Sequence, residues 1–249
     1  MHAAILLFVL LVAAVPAVHA QPASVHDAVR AKDLASVRRL VEGNQSVPAQ
    51  KDANGDTPLH VAAAGGLTSI AEYLIARGAD LAAVNVQMNT PLHVAIVGGH
   101  DAAAQLLVNA GADLRRQNTA GKTPLHLAVR HNRPAIVELL VARNADIESH
   151  DDYQRTPLHL AARETGNVEI ARFLIGKGAD VNAKDSQGVL PLANAAWKGF
   201  TGVIDLLLDH GASLPTGNER DILGLAADCG SVRLFEWVLK AKPDLLSQE

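Results

Sequence analysis

Four of the chain's eleven histidines, His60, His93, His126 and His159, recur at the same place in a repeated phrase, 33 residues apart. Imidazole is the commonest protein ligand for transition metals, so a metal centre is the first chemistry to weigh. Residues that recur once per structural unit stand a helix-packing distance of about 8–10 Å apart, whereas zinc needs each ligand at about 2 Å. One ion cannot reach two of them, so no metal is expected. His131 and His150 lie outside the phrase at positions expected to be exposed. Cys229 is the sole cysteine, which excludes an intrachain disulfide. No G-x-S-x-G, phosphate loop, H-E-x-x-H or paired-cysteine pattern occurs, so neither a catalytic residue nor a cofactor is expected. Asn44-Gln45-Ser46 fits an N-glycosylation acceptor.

The elements that carry these histidines are themselves a repeat. Thr57-Pro58-Leu59-His60, Thr90-Pro91-Leu92-His93, Thr123-Pro124-Leu125-His126 and Thr156-Pro157-Leu158-His159 share the period with a second phrase at Gly78-Ala79-Asp80, Gly111-Ala112-Asp113, Asn144-Ala145-Asp146, Gly178-Ala179-Asp180 and Gly211-Ala212-Ser213. Each Thr-Pro places a hydroxyl N-cap before a proline at the first helical position, where its missing N–H costs nothing. A short helix follows and turns at Gly66, Gly99, Asn132, Gly166 and Gly199 into a second one, whose apolar spacing is Ile70, Leu74, Ile75 and its equivalents. Small alanines at 62, 63, 128, 161, 162, 195 and 196 let helices approach closely. An aliphatic core between repeats therefore explains why two Trp, two Tyr and four Phe suffice.

Two phrases in one register resemble the ankyrin repeat family, whose consensus joins T-P-L-H, a helix break and a G-A-D loop. The resemblance implies an all-α ankyrin-repeat solenoid of helix-turn-helix units with projecting β-turn fingers, and histidines that hydrogen-bond backbone groups between loops. By the period, 21–51 is an N-terminal linker and capping repeat. Repeats follow at 52–84, 85–117, 118–150 and 151–184, then a degenerate one at 185–217 and a C-terminal cap at 218–249. The fourth contains one extra residue, since Pro157 to Pro191 is 34 rather than 33. Gly55, Gly121 and Gly188 keep the family's finger glycine, while Met88 and Gln154 replace it. In such proteins the fingers and the exposed ends of the first helices make a concave binding face. Here that face offers Arg130, His131, Tyr153, Arg155, Arg163, Trp197 and Lys198 to a protein partner, with Tyr153 and Trp197 as anchors.

Composition limits the partner. Lys and Arg total 22 against 26 Asp and Glu, a net charge of −4, which leaves no electrostatic footprint for nucleic acid. An unbroken apolar run from Ala3 to Val15, then Pro16 and Val18-His19-Ala20, reads as a signal peptide (1–20) cleaved after Ala20, although no Lys or Arg precedes it. The run is shorter than the roughly 20 residues that span a bilayer, so no stable membrane insertion is expected after cleavage. The expectation is a monomeric, non-catalytic adaptor in the periplasm or secreted. The alternatives are a stoichiometric regulator or protector of an exported enzyme and a host-directed effector.

Overall fold

A computed structural model describes residues 24–213 and 219–241; the apolar run and the cut expected after Ala20 lie outside them. The described residues form seven helix pairs: α1 (Val25–Arg30) and α2 (Leu34–Gly43), α3 (Pro58–Ala64) and α4 (Thr68–Ala76), α5 (Pro91–Val97) and α6 (Asp101–Asn109), α7 (Pro124–Arg130) and α8 (Pro134–Ala142), α9 (Pro157–Leu160) and α10 (Val168–Gly176), α11 (Pro191–Lys198) and α12 (Thr201–Asp209), α13 (Glu219–Asp228) and α14 (Val232–Ala241). Each helix packs on its counterpart in the next pair, giving the expected all-α solenoid. No helix among the described residues is long and apolar enough to cross a membrane.

Local chemistry sets each unit. Thr57, Thr90, Thr123 and Thr156 have extended backbone and cap helices whose first residue is proline. The turn positions expected to close the helices, Asn132 and Asn144 included, all adopt positive φ. Leu59, Leu92, Leu125 and Leu158 are fully buried, as are Leu74, Leu140 and Leu174 of the second helices, around the small alanines. No aromatic side chain is among the fully buried core residues described. The extra residue of the fourth repeat is absorbed as a single π turn, Ala161–Thr165, closed by Gly166 N–H donating to Ala161 O at 3.0 Å. The bulge leaves Ala161 and Ala162 buried and pushes its surplus outward at Arg163 and Glu164.

The four repeated histidines are the polar joints of this stack. Nε2 of His60, His93, His126 and His159 donates to the carbonyl of Asn89, Lys122, Arg155 and Val189, one repeat further on, at 2.9, 3.2, 2.9 and 3.1 Å. A carbonyl only accepts, so Nε2 carries the proton and Nδ1 accepts from the threonine backbone N–H at 3.1–3.3 Å. Both nitrogens are engaged, and no lone pair is left for a metal. His26 of the capping pair, which lacks the repeated phrase, reaches Asp56 O at 2.9 Å and makes the same joint. At the other end Ala193 stands where histidine would be, and beside it Asn194 is 1% exposed with neither amide atom hydrogen-bonded among the described residues.

Two outcomes follow. Burial pulls all four histidines below the ordinary value of 6.5, His93 to about 4. The unfolded chain therefore binds protons that the native rings refuse; stability is whole above pH 6.5 and falls as pH drops toward about 4. The urea midpoint is expected to fall between about pH 7.5 and about pH 5, with a shallower slope in the less stable His93→Gln variant. At the finger tips, Met88 (φ 58) and Gln154 (φ 56) hold the left-handed conformation of the glycines they replace. A Cβ there costs about 1 kcal/mol, so Met88→Gly and Gln154→Gly should each raise stability by roughly 0.5 kcal/mol, after glycine's greater unfolded-state entropy. Gly121→Ala should lower it, because the new Cβ would strike the backbone of Asp152. Chemical denaturation of the three variants checks both signs.

Candidate interaction face

Five fingers, at 52–56, 85–89, 118–122, 151–155 and 185–189, line one side of the stack. An Asx residue opens each: Oδ1 of Asp52, Asn85, Asn118, Asp151 and Asp185 accepts from the backbone N–H groups two and four residues on, at 2.8–3.1 Å. Finger then joins finger through Val86 N–H to Asn54 O (3.0 Å), Thr119 to Gln87 (3.0 Å), Asp152 to Ala120 (3.4 Å) and Ser186 to Tyr153 (2.8 Å). A regular row of tips results, flanked by the C-terminal ends of the first helices. Six large apolar side chains are exposed among the described residues; Val86, Met88 and Tyr153 are on tips, Val97 and Trp197 on helix ends, and only Val232 lies elsewhere.

Of the residues expected to meet a partner, Arg130, His131, Tyr153 (59%), Arg163, Trp197 (56%) and Lys198 are exposed. Arg155 corrects the expectation: it is 9% exposed, and its Nε and Nη2 donate to Asp151 Oδ2 at 3.0 and 2.7 Å. Lys122, on the preceding finger, is likewise withdrawn, at 6% exposed. The reason is Asp151, whose wholly buried carboxylate attracts both cations. Burial pushes the Asp151 carboxyl up, but Arg155's guanidinium and the N–H groups of Arg155 and Tyr153 outweigh it and hold the group below the ordinary carboxylate range. Arg155 in turn lies under the Tyr153 ring, 4.7 Å from its centroid.

Tyr153, Arg155 and Arg163 meet Asp185, Ser186 and Gln187 around a cleft of about 310 Å³. Arg130 is 3.9 Å from Glu164 on the π turn. Trp197 and Lys198, one repeat further along, do not line the cleft. His150 lies on the loop side, in a separate opening of about 430 Å³ with Arg115 and Glu148. Among the sites set apart from the face, Asn44 is exposed and its Oδ1 accepts from Ser46, while Cys229 is half-buried, its thiol donating to Ala226 O at 3.4 Å. Sequence reading passed over the Asx row and the paired burial of Lys122 and Arg155. The signal was present in the first case, since Asp or Asn recurs at 52, 85, 118, 151 and 185 in register with the other phrases.

Asp151 thus has two separable jobs. Asp151→Asn keeps the turn acceptor that Asn85 and Asn118 already provide, and loses only the ion pair. Asp151→Ala removes both: to the penalty of about 3–5 kcal/mol for orphaning the buried Arg155 charge, which Asp151→Asn shares, it adds the loss of the turn acceptor. The alanine variant should therefore be clearly less stable than the asparagine variant in urea unfolding; equal losses would show that the turn contributes nothing.

A family model of ankyrin repeats in three copies matches residues 25–118 and 103–185. Protein phosphatase 1 regulatory subunit 27 of mouse is 43% identical over 63 residues, 25% of this chain and 40% of that protein, and the human form matches equally. A fowlpox virus protein named for its ankyrin repeats is 39% identical over 56 residues, 22% of this chain and 13% of that protein. The chain thus spans well under half the length of these relatives. With the two matched segments running through the helix pairs, fingers and histidine joints described above, the chain belongs to the ankyrin repeat family.

Proposed function

We propose that this protein is a non-catalytic adaptor that binds one protein partner on the finger side of its solenoid, the concave face of such repeats. The observation that carries this reading is the distribution of exposed apolar side chains: five of the six large ones described stand on finger tips or first-helix ends. Aromatic residues with neighbouring arginines dominate the energetics of many interfaces, and Tyr153, Trp197, Arg130 and Arg163 provide that combination. Lys198 and His131 extend the rim, while Arg155 serves as the support of Tyr153.

The apolar run from Ala3 to Val15 supports export, with the adaptor acting in a periplasm or after secretion. A second reading, stoichiometric regulation of a partner enzyme in that compartment, draws on the relative that is named a phosphatase regulatory subunit. It uses the same face and differs in outcome, since deletion should lower the partner's activity or abundance.

Affinity capture from the source's exported fraction tests both. Residues 21–249 should retain a protein that the Tyr153→Ala, Trp197→Ala double variant loses, with affinity reduced at least about 30-fold, the equivalent of a 2 kcal/mol hot spot. Equal retention by a folded double variant refutes the assigned face.

A further inference from the structure

The cleft between the fourth and fifth fingers is a polar site with its hydrogen-bonding capacity unspent. Arg163 lines it, and its guanidinium makes no hydrogen bond or ion pair with any described residue. Asp185 lines it too: Oδ1 holds the finger turn, accepting from the N–H groups of Gln187 and Val189 at 2.8 and 2.9 Å, while Oδ2 accepts from no described residue. The side chains of Ser186 and Gln187 are exposed on the same walls and equally unspent. Tyr153 supplies the apolar surface, 59% exposed, with the Arg155 guanidinium carbon 4.7 Å from its ring centroid. The charges around the opening balance. Arg155 and Lys122 stand 2.7 and 4.0 Å from Asp151, and Arg130 is 3.9 Å from Glu164. Asp152 turns to the third finger, where its carboxylate lies against Gly121. Arg163 and Asp185 are thus the two charges of the cleft without a partner among the described residues.

We propose that this cleft takes an extended, uncharged stretch of the partner's chain and reads its backbone: a carbonyl accepts from Arg163, an N–H donates to Asp185 Oδ2, and an apolar side chain beside them lies on Tyr153. This rests on the binding reading above and names the partner's conformation. A peptide group offers one donor and one acceptor without net charge, which an unpartnered guanidinium and an unpartnered carboxylate in one cleft require together. An α-helix has spent those groups internally and, at about 10–12 Å in diameter, is too wide for an opening of about 310 Å³. An extended segment keeps them free and sets successive side chains on opposite sides, so that one lies on the ring while its neighbours point away. An acidic segment would meet Asp185 and a basic one Arg163, each a like charge, which selects against both.

The test uses a random library of linear peptides selected against the whole chain, with the winners resynthesised so that one backbone amide at a time is N-methylated. Methylation removes the donor and keeps every side chain. At one fixed position it should weaken Kd at least about tenfold, the scale of a hydrogen bond to a charged group. Asp185→Asn keeps the turn acceptor that Asn85 and Asn118 provide. In that variant the unmethylated winner should already bind about tenfold more weakly, and the methyl group should cost no more than about twofold further. Arg163→Gln, at an exposed position, should also lose at least about tenfold. Raising NaCl from about 0.05 to about 0.5 M should move Kd less than about threefold. Winners weakened by Tyr153→Ala and Trp197→Ala but indifferent to methylation at every position overturn the backbone reading and leave the binding face intact, as do winners whose affinity falls steeply with salt. Methylation alters the peptide alone, so this outcome stands even where a variant fails to fold. Retention of no linear peptide, while affinity capture still yields a partner sensitive to the double variant, also overturns the extended segment alone. Winners indifferent to all four substitutions, or neither winners nor a captured partner, overturn both.

Discussion

The stack depends on one hydrogen bond, from the imidazole of each repeat to a backbone carbonyl of the next. Apolar burial drives the helix pairs together, but it has no direction, and near-identical surfaces could slide past one another. The Nε2 bond to residues 89, 122, 155 and 189 fixes the register of each unit against its neighbour. Because the same ring accepts from a threonine N–H through Nδ1, only the neutral form serves. A neutral ring in a dry site makes the stability of the whole array a function of pH near neutrality, even though no histidine acts on a ligand.

That joint also explains the ends. His26 sits one position earlier in its helix than His60 does in α3, since Ser24 caps α1 without the proline phrase, and still reaches the carbonyl at 56. The cap is therefore tied by the bond that ties the interior. The C-terminal junction is not: Leu190 and Ala193 replace the threonine and histidine, so the bond to the following unit has no donor. Asn194 adds a buried amide without a partner among the described residues, at a position that is Val61, Val94, Leu127 and Leu160 in the earlier repeats. In a nearest-neighbour array this interface contributes less, and opening should begin there.

The fold was legible in the sequence because its rules are local. A hydroxyl before a proline, a glycine or asparagine at the turn and alanine at the close approach each specify geometry within a few residues. Even the inserted residue of the fourth repeat was visible, although its solution as a π turn depends on keeping Leu158 and Ala162 in register with the stack. The surface was less legible, for the opposite reason. Whether Arg155 and Lys122 point into water is decided by a carboxylate on a different finger from Lys122 and four residues before Arg155, and repeat alignment treats those positions as free. Met88 and Gln154 show the reverse: finger bonds to the neighbouring tips impose the left-handed shape despite the residue type.

The buried charge and the exposed aromatic belong to one construction. Asp151, fixed by two backbone N–H groups, fixes Arg155, whose guanidinium carbon stands 4.7 Å from the centroid of the Tyr153 ring. An exposed side chain normally loses rotamer freedom when it binds, at about 0.5–1.5 kcal/mol. A ring already resting on a pinned guanidinium has lost part of that freedom on folding. The desolvation of Asp151 and Arg155, which adds little to stability by itself, is thereby converted into preorganisation at the surface. It also draws Lys122 to the same carboxylate, at 4.0 Å. Recognition in a repeat scaffold follows from such departures from its grid, and here three of them, at positions 122, 151 and 155, converge on a single stretch of the finger face.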